Sequence, residues 1–181
     1  MKFLAAIALP AYALDQLTKW WIFTHYALVP SERNLAKFPE AILRTEHLPL
    51  DTDVIPGWFQ IVHWGNTGAA FSFLSDHPWV FIVISIVAFI GLLIAWRRNV
   101  FRDTPSRIAV PLLLGGILGN ITDRFIHGYV VDFLLFDLHV PFANPWPAFN
   151  VADSCIFVAA GLFVVAAILD ARKPRAESVQ R

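Results

Sequence analysis

Between Trp79 and Trp96 the chain carries no charged side chain and a single hydroxyl, Ser85. That run constrains folding more than any motif does. It is long enough to cross hydrocarbon, which takes roughly 20 apolar residues in helical form. No water reaches the backbone inside a bilayer, so every N–H and C=O must pair within the segment, and a helix is the local solution. Other apolar stretches accompany it. Phe3 to about Tyr26 is interrupted by Pro10, Asp15 and Lys19; Ile108 to about Phe125 turns polar through Asn120, Asp123 and Arg124; Ser154 to Leu169 ends against Asp170, Arg172 and Lys173. Trp20, Trp21, Trp79 and Trp96 fall near the ends of these stretches, where an interfacial aromatic belt places them. Composition agrees: 57% of the 181 residues are hydrophobic and 15% charged, against about a quarter charged in soluble domains. The reading is a membrane protein, mainly α, in one domain. Its four transmembrane helices lie at about 3–26, 77–96, 107–125 and 153–171, with outer regions at about 27–76 and 126–152.

The first stretch has a rival reading. Met1-Lys2, an apolar run and Ala11-Tyr12-Ala13 imitate a secretory leader with a small-residue cleavage site. Apolar character resumes in Trp20-Trp21-Ile22-Phe23, which favours a retained helix.

Positive charge sets the expected orientation. Arg97, Arg98, Arg102 and Arg107 crowd the link between the second and third helices, and Arg172, Lys173, Arg175 and Arg181 follow the fourth. The 126–149 region has no lysine or arginine. The positive-inside rule then puts both termini and the 97–107 link in the cytoplasm. Asp132 and Asp153 fall together at the outer face, one just after the third helix and one at the start of the fourth. Formal net charge is zero, with no basic patch, which argues against a nucleic-acid partner. Nothing in the sequence requires more than a monomer.

In the outer region, Val54 to Trp64 reads as strand behind a Pro56-Gly57 turn. It leads into Asn66-Thr67-Gly68-Ala69-Ala70-Phe71-Ser72, whose small residues allow close backbone approach. Residues 34–48 read as a short amphipathic helix on the bilayer surface, and the tail from about Arg172 as disordered.

Each polar residue near the membrane has a bland role to set beside a chemical one. Gly115, Gly116 and Gly119 suit close helix packing. Asp15 and Lys19, four apart, suit an intrahelical ion pair. Asp123 suits a neighbouring partner, and Arg124 suits either head groups or bidentate binding of a substrate. Asn150 and Asp153 both suit an N-terminal cap, and a cap needs only one of them. Asp132 has no such role. Val130, Val131, Phe133, Leu134 and Leu135 surround it, and desolvation raises a carboxyl pKa. Ionisable groups at membrane depth mark functional sites by default, so Asp132 and Asp153 read as a candidate catalytic pair. Spacing alone leaves that beside the structural roles. No GxSxG or HExxH occurs, the six histidines are scattered, and lone Cys155 sits in an apolar run where it reads as a small buried hydrophobe. A small proton-coupled transporter is the competing class; it predicts polar residues spread through several helices, whereas here they cluster at one face.

Five blocks taken together resemble the lipoprotein signal peptidases (signal peptidase II), a bacterial family of membrane aspartyl proteases. They are Asp15-Gln16-Leu17-Thr18-Lys19, Asn66 to Ser72, Gly115 to Arg124, Gly128-Tyr129-Val130-Val131-Asp132-Phe133, and Phe149-Asn150-Val151-Ala152-Asp153-Ser154, in the family's order. The resemblance implies a four-helix membrane bundle with a small extracytoplasmic β-cradle in the bacterial inner membrane. It implies Asp132 and Asp153 as the catalytic dyad, with Asn66, Gly68, Asn120, Arg124 and Asn150 binding substrate or supporting the dyad. Asp15 and Lys19 would be structural or support the site from behind. The substrate would be a prolipoprotein carrying a diacylglyceryl group on its lipobox cysteine, cut just before that cysteine, with no metal or cofactor and with membrane lipid as the surroundings. The stretch from about Ser31 to Asp53 is longer than the family pattern leads one to expect.

Overall fold

The computed structural model describes residues 1–29, 39–68, 78–141 and 145–172. Its elements in chain order are α1 (Lys2–His25), α2 (Pro39–Thr45), β1 (Asp51–Ile55), β2 (Phe59–Asn66), α3 (Pro78–Arg97), α4 (Thr104–Ile126), β3 (Val130–Phe136) and α5 (Val151–Ala171). Three of the helices, α3, α4 and α5, are long and apolar enough to cross a membrane. α1 has the length, but Lys2, Asp15 and Lys19 dilute its hydropathy.

α1 is patterned inside out. Its buried residues, Leu4, Ala8, Asp15, Lys19 and Ile22, recur at helical spacing on one face. Asp15 is 0% and Lys19 3% exposed, whereas Leu17 and Trp20 are each 64% exposed. The polar groups thus face neighbouring helices and the apolar ones face outward, the reverse of a helix surrounded by water.

α4 packs chiefly against α5 and α1, and the glycines explain how closely. A Cβ on Gly115 would lie 2.9 Å from the Ala8 carbonyl oxygen of α1, and one on Gly116 would lie 2.6 Å from that of Ala152 on α5. Neither gap admits a methyl group, so the packing reading of these glycines holds.

Capping fixes where α4 starts and stops. The Asp103 carboxylate accepts from Ser106 N–H at 2.7 Å, which satisfies one of the orphan donors of the first turn. At the other end Gly128 takes φ +79°, a left-handed conformation that glycine adopts without a Cβ clash. The chain reverses there into β3.

The three strands form an antiparallel sheet in the order β1-β2-β3. β1 and β2 meet through Pro56-Gly57, with Gly57 at φ +74° and Trp58 N–H donating to Ile55 O at 2.9 Å; proline followed by a positive-φ glycine is the type II pattern. Phe149 bridges to Leu134 on the far edge of β3. Sequence reading placed the turn and a strand over Val54 to Trp64, where two strands meet across Pro56-Gly57, and placed Asp132 only as a residue after a helix. It lies inside β3, a strand otherwise made of Val, Phe and Leu. One face of the sheet packs on the end of α1 through a core of Ile22, Tyr26, Leu28, Tyr129, Val131 and Phe133. α2 occupies part of the segment read as an amphipathic helix; Thr45 Oγ1 at its end accepts from Leu28 N–H at 3.0 Å. Residues 34–38 of that segment, residues 69–72 of the small-residue block, and 173–181 of the tail lie outside the described residues.

Candidate active site

The site forms where the end of β2, the middle of β3 and the start of α5 meet the polar turns of α4. β3 supplies Asp132, buried at 2% exposure. Its Oδ1 accepts from Asn150 Nδ2 at 2.7 Å and its Oδ2 from Asn66 Nδ2 at 2.9 Å. Asn66 is itself held, because its Oδ1 accepts from Gly68 N–H at 2.9 Å.

Asp153 enters from the first turn of α5. Its Oδ1 accepts from Asn120 Nδ2 at 2.8 Å and its Oδ2 from Asn150 N–H at 3.3 Å, while Asp153 N–H donates to Asn150 Oδ1 at 2.8 Å. This is a reciprocal capping box. The expectation that a cap occupies only one of the pair is therefore corrected. Both residues serve the cap, and both still reach the site, because Asn150 caps with its oxygen and donates to Asp132 with its nitrogen.

Behind the aspartates lies a buried charge cluster. Lys19 Nζ donates to Asp15 Oδ2 at 2.9 Å, to Asp123 Oδ2 at 3.0 Å and to Asn120 Oδ1 at 2.9 Å. Each carboxylate then grips a backbone N–H: Asp15 Oδ1 accepts from Ala152 at 2.8 Å and Asp123 Oδ2 from Val131 at 3.0 Å. Those two residues immediately precede Asp153 and Asp132. One lysine, through two carboxylates and an amide, thus ties down the chain beside both aspartates. The ion pair read between Asp15 and Lys19 is present. Asp123 does pair with a neighbour, and its grip on β3 is what sequence reading missed. Gln16 was missed as well; its Nε2 lies 3.1 Å from both Asp15 Oδ2 and Asp123 Oδ1. A run of Asp-Gln in a helix gives no periodic signal that the two side chains converge on another helix.

Arg124 closes one side. It donates to Asn120 O at 3.3 Å and to Gly68 O at 3.1 Å, and its guanidinium lies 5.4 Å from the centre of the Phe81 ring on α3. It thus contacts backbone and an aromatic face.

The electrostatics follow from burial. Loss of solvent, and after it the charge of Asp153, pushes the Asp132 carboxyl well above the ordinary carboxylate range; the bonds from Asn66 and Asn150 and the charge of Lys19 oppose this without cancelling it. Among the described residues no three His, Cys, Asp or Glu side chains are grouped to hold a metal ion. Every site residue named from the sequence and the resemblance is in this region: Asp132, Asp153, Asn66, Gly68, Asn120, Arg124 and Asn150 around the carboxyls, Asp15 and Lys19 behind them.

The chain is similar to known proteins over most of its length. The family model described as signal peptidase (SPase) II matches residues 7–169. A lipoprotein signal peptidase of Symbiobacterium thermophilum is 35% identical over 167 residues, covering 92% of this chain and 95% of the relative. One from Shewanella loihica is 35% identical over 175 residues, covering 94% and 88%. Two solved structures, each described as a bacterial membrane enzyme obtained by the in meso method, share the fold. One superposes with a TM-score of 0.74 at 25% identity, covering 99% of this chain and 96% of the other. The second gives 0.73 at 27% identity, covering 94% and 95%.

Proposed function

The chain belongs to the signal peptidase II family, and from that membership we propose that it removes signal peptides from lipoproteins by an aspartic mechanism at Asp132 and Asp153. The observation that carries the reading is the convergence of these two carboxyls, one buried in a strand and one at a helix start, on a shared asparagine, Asn150.

The chemistry divides between them. Asp132, held protonated by its burial, donates to the scissile carbonyl oxygen as charge develops there. Asp153 takes a proton from the attacking water. When the tetrahedral intermediate collapses, Asp153 passes its proton to the leaving amine and Asp132 recovers its own from the intermediate's hydroxyl, which restores the starting state. Asn66, Asn120 and Asn150 keep the carboxyl planes in register. Arg124 Nε is buried and has no partner among the described residues, which leaves one donor for a substrate carbonyl. The substrate is a prolipoprotein whose cysteine bears a diacylglyceryl group, and the cut falls before that cysteine. Its acyl chains stay in the leaflet while the peptide reaches the site at the outer face.

The inside-out patterning of α1 supports a fourth span beside α3, α4 and α5, since its exposed residues from Phe3 to Trp21 are all apolar. With four spans, the arginine-rich 97–107 link and both termini are cytoplasmic.

The test is cleavage of a diacylglyceryl-modified lipobox peptide in detergent. Asp132→Asn and Asp153→Asn each lower kcat by about 10²–10⁴-fold, the range for removing a positioned acid or base, and each retains the wild-type helical circular dichroism. Substantial processing by either single variant refutes the dyad.

A further inference from the structure

We propose that Trp64 sets the size of the substrate side chain accepted beside the scissile bond. The inference rests on the peptidase reading above and deepens it. In the ladder between β2 and β3, Trp64 lies directly opposite Asp132, and Asn66 lies opposite Val130. Residues paired across an antiparallel ladder project from the same face with Cβ atoms about 4.5–5.5 Å apart. The bond from Asn66, two residues on, to Asp132 confirms that this face of β2 is the one turned to the site. His63, the residue before, is turned the other way, with its ring 5.7 Å from Phe23 and 6.3 Å from Tyr129.

Trp64 is 37% exposed, whereas the aspartate opposite it is 2% exposed. The ring therefore borders the approach to a carboxyl that has almost no surface of its own. It also lacks a structural role of the kind its neighbours have. Farther along the same strands Phe59 stacks on Phe136, and Phe136 on Phe149, at 4.6 and 5.8 Å. Among the described residues no ring stack or side-chain hydrogen bond engages the Trp64 indole. A large, partly open aromatic beside a reacting centre is a wall against which a substrate side chain packs.

A peptide whose scissile carbonyl reaches Asp132 passes that wall. On one side of the bond stands the lipidated cysteine, which the reaction fixes. The variable side chain is the one before it, and an indole on the flanking strand leaves room there for a small group.

The experiment uses full-length protein and lipidated peptides that differ only in the residue before the cysteine: Ala, Leu or Phe. Wild type is expected to prefer Ala over Leu and Phe in kcat/KM. Trp64→Ala raises the Leu/Ala and Phe/Ala ratios by at least about tenfold, the scale on which a pocket discriminates bulk, and Trp64→Phe gives an intermediate ratio. A ratio of two substrates on one preparation does not move with a general loss of folding or of dyad geometry. No preference in the wild type, or ratios unchanged in both variants, overturns the inference. Failure of the wild type to cut even the Ala peptide overturns the peptidase reading instead.

Discussion

Lys19 engages all three of its ammonium donors inside the protein, on groups from α1 and α4. A buried ammonium is tolerable only when paired and hydrogen-bonded, and removing one partner of such a pair typically costs about 3–5 kcal/mol. Asp15 and Lys19 were legible as a pair because they stand four apart in one helix. Asp123 was not, because its partners come from another helix and from a strand, and sequence spacing does not encode either. The other buried ionisable group of note is His63. Its Nδ1 donates to the Tyr26 carbonyl at 3.0 Å, and burial lowers its pKa to about 4. The folded state thus holds it neutral, while the unfolded chain protonates it near the ordinary value of about 6.5. Between those values the unfolded state binds more protons, so stability falls as pH drops through about 6.5 toward 4 and is fully present above that window. The full effect is on the order of 3 kcal/mol. The melting temperature of wild type in detergent is expected to decline from pH 7 to pH 4 more steeply than that of His63→Gln; parallel declines would discard this account.

At the scale of elements, the helices were legible because a bilayer leaves an apolar run few alternatives. β3 was not, since an unbroken run from Val130 to Phe136 with one aspartate has neither the length of a span nor the alternation of a half-buried strand. The double use of the α5 cap was equally hidden: a motif shows which residues suit a cap but not that Asn150 serves two partners at once. Gly119 makes the packing of elements consequential for chemistry. A Cβ there would collide with the Asp15 carboxylate and lie 3.1 Å from the Ala152 Cβ. That carboxylate cannot swing away without releasing Lys19 and Ala152 N–H. Gly119→Ala is therefore expected to destabilise the protein by about 1–3 kcal/mol, the usual cost of overpacking, and to lower peptidase activity at least several-fold. Gly161→Ala, where nothing lies within 4 Å of the added Cβ, serves as the control. Equal activity and melting temperature in the two variants would contradict the tight junction.

For the whole molecule, two kinds of stabilisation divide the fold. The cluster around Tyr129 and Val131 against the sheet gains from leaving water, at about 1.5–3 kcal/mol for each large apolar side chain. The cluster of Leu4, Ala8, Val110 and Leu114 between helices has no such gain against lipid and depends on close packing. The proposed orientation is checked with single cysteines at position 53 in β1 and position 98 in the arginine-rich link, in a Cys155→Ser background. A membrane-impermeant maleimide added to intact cells is expected to label position 53 directly and position 98 only after permeabilisation; the opposite pattern would invert the topology.

The bond from Ala152 N–H to Asp15 spans 137 positions of sequence, so it joins α1 to the much later α5. During synthesis α1 comes earlier, carrying Asp15 and Lys19, whose partners Asn120 and Asp123 arrive with α4 and Ala152 only with α5. Asp153 arrives with α5 too, and the cluster that orients it is complete only then. The order of synthesis therefore acts as a timer: a partly made chain has no assembled pair of carboxyls, and under the proposed aspartic mechanism it gains activity only once α5 has packed.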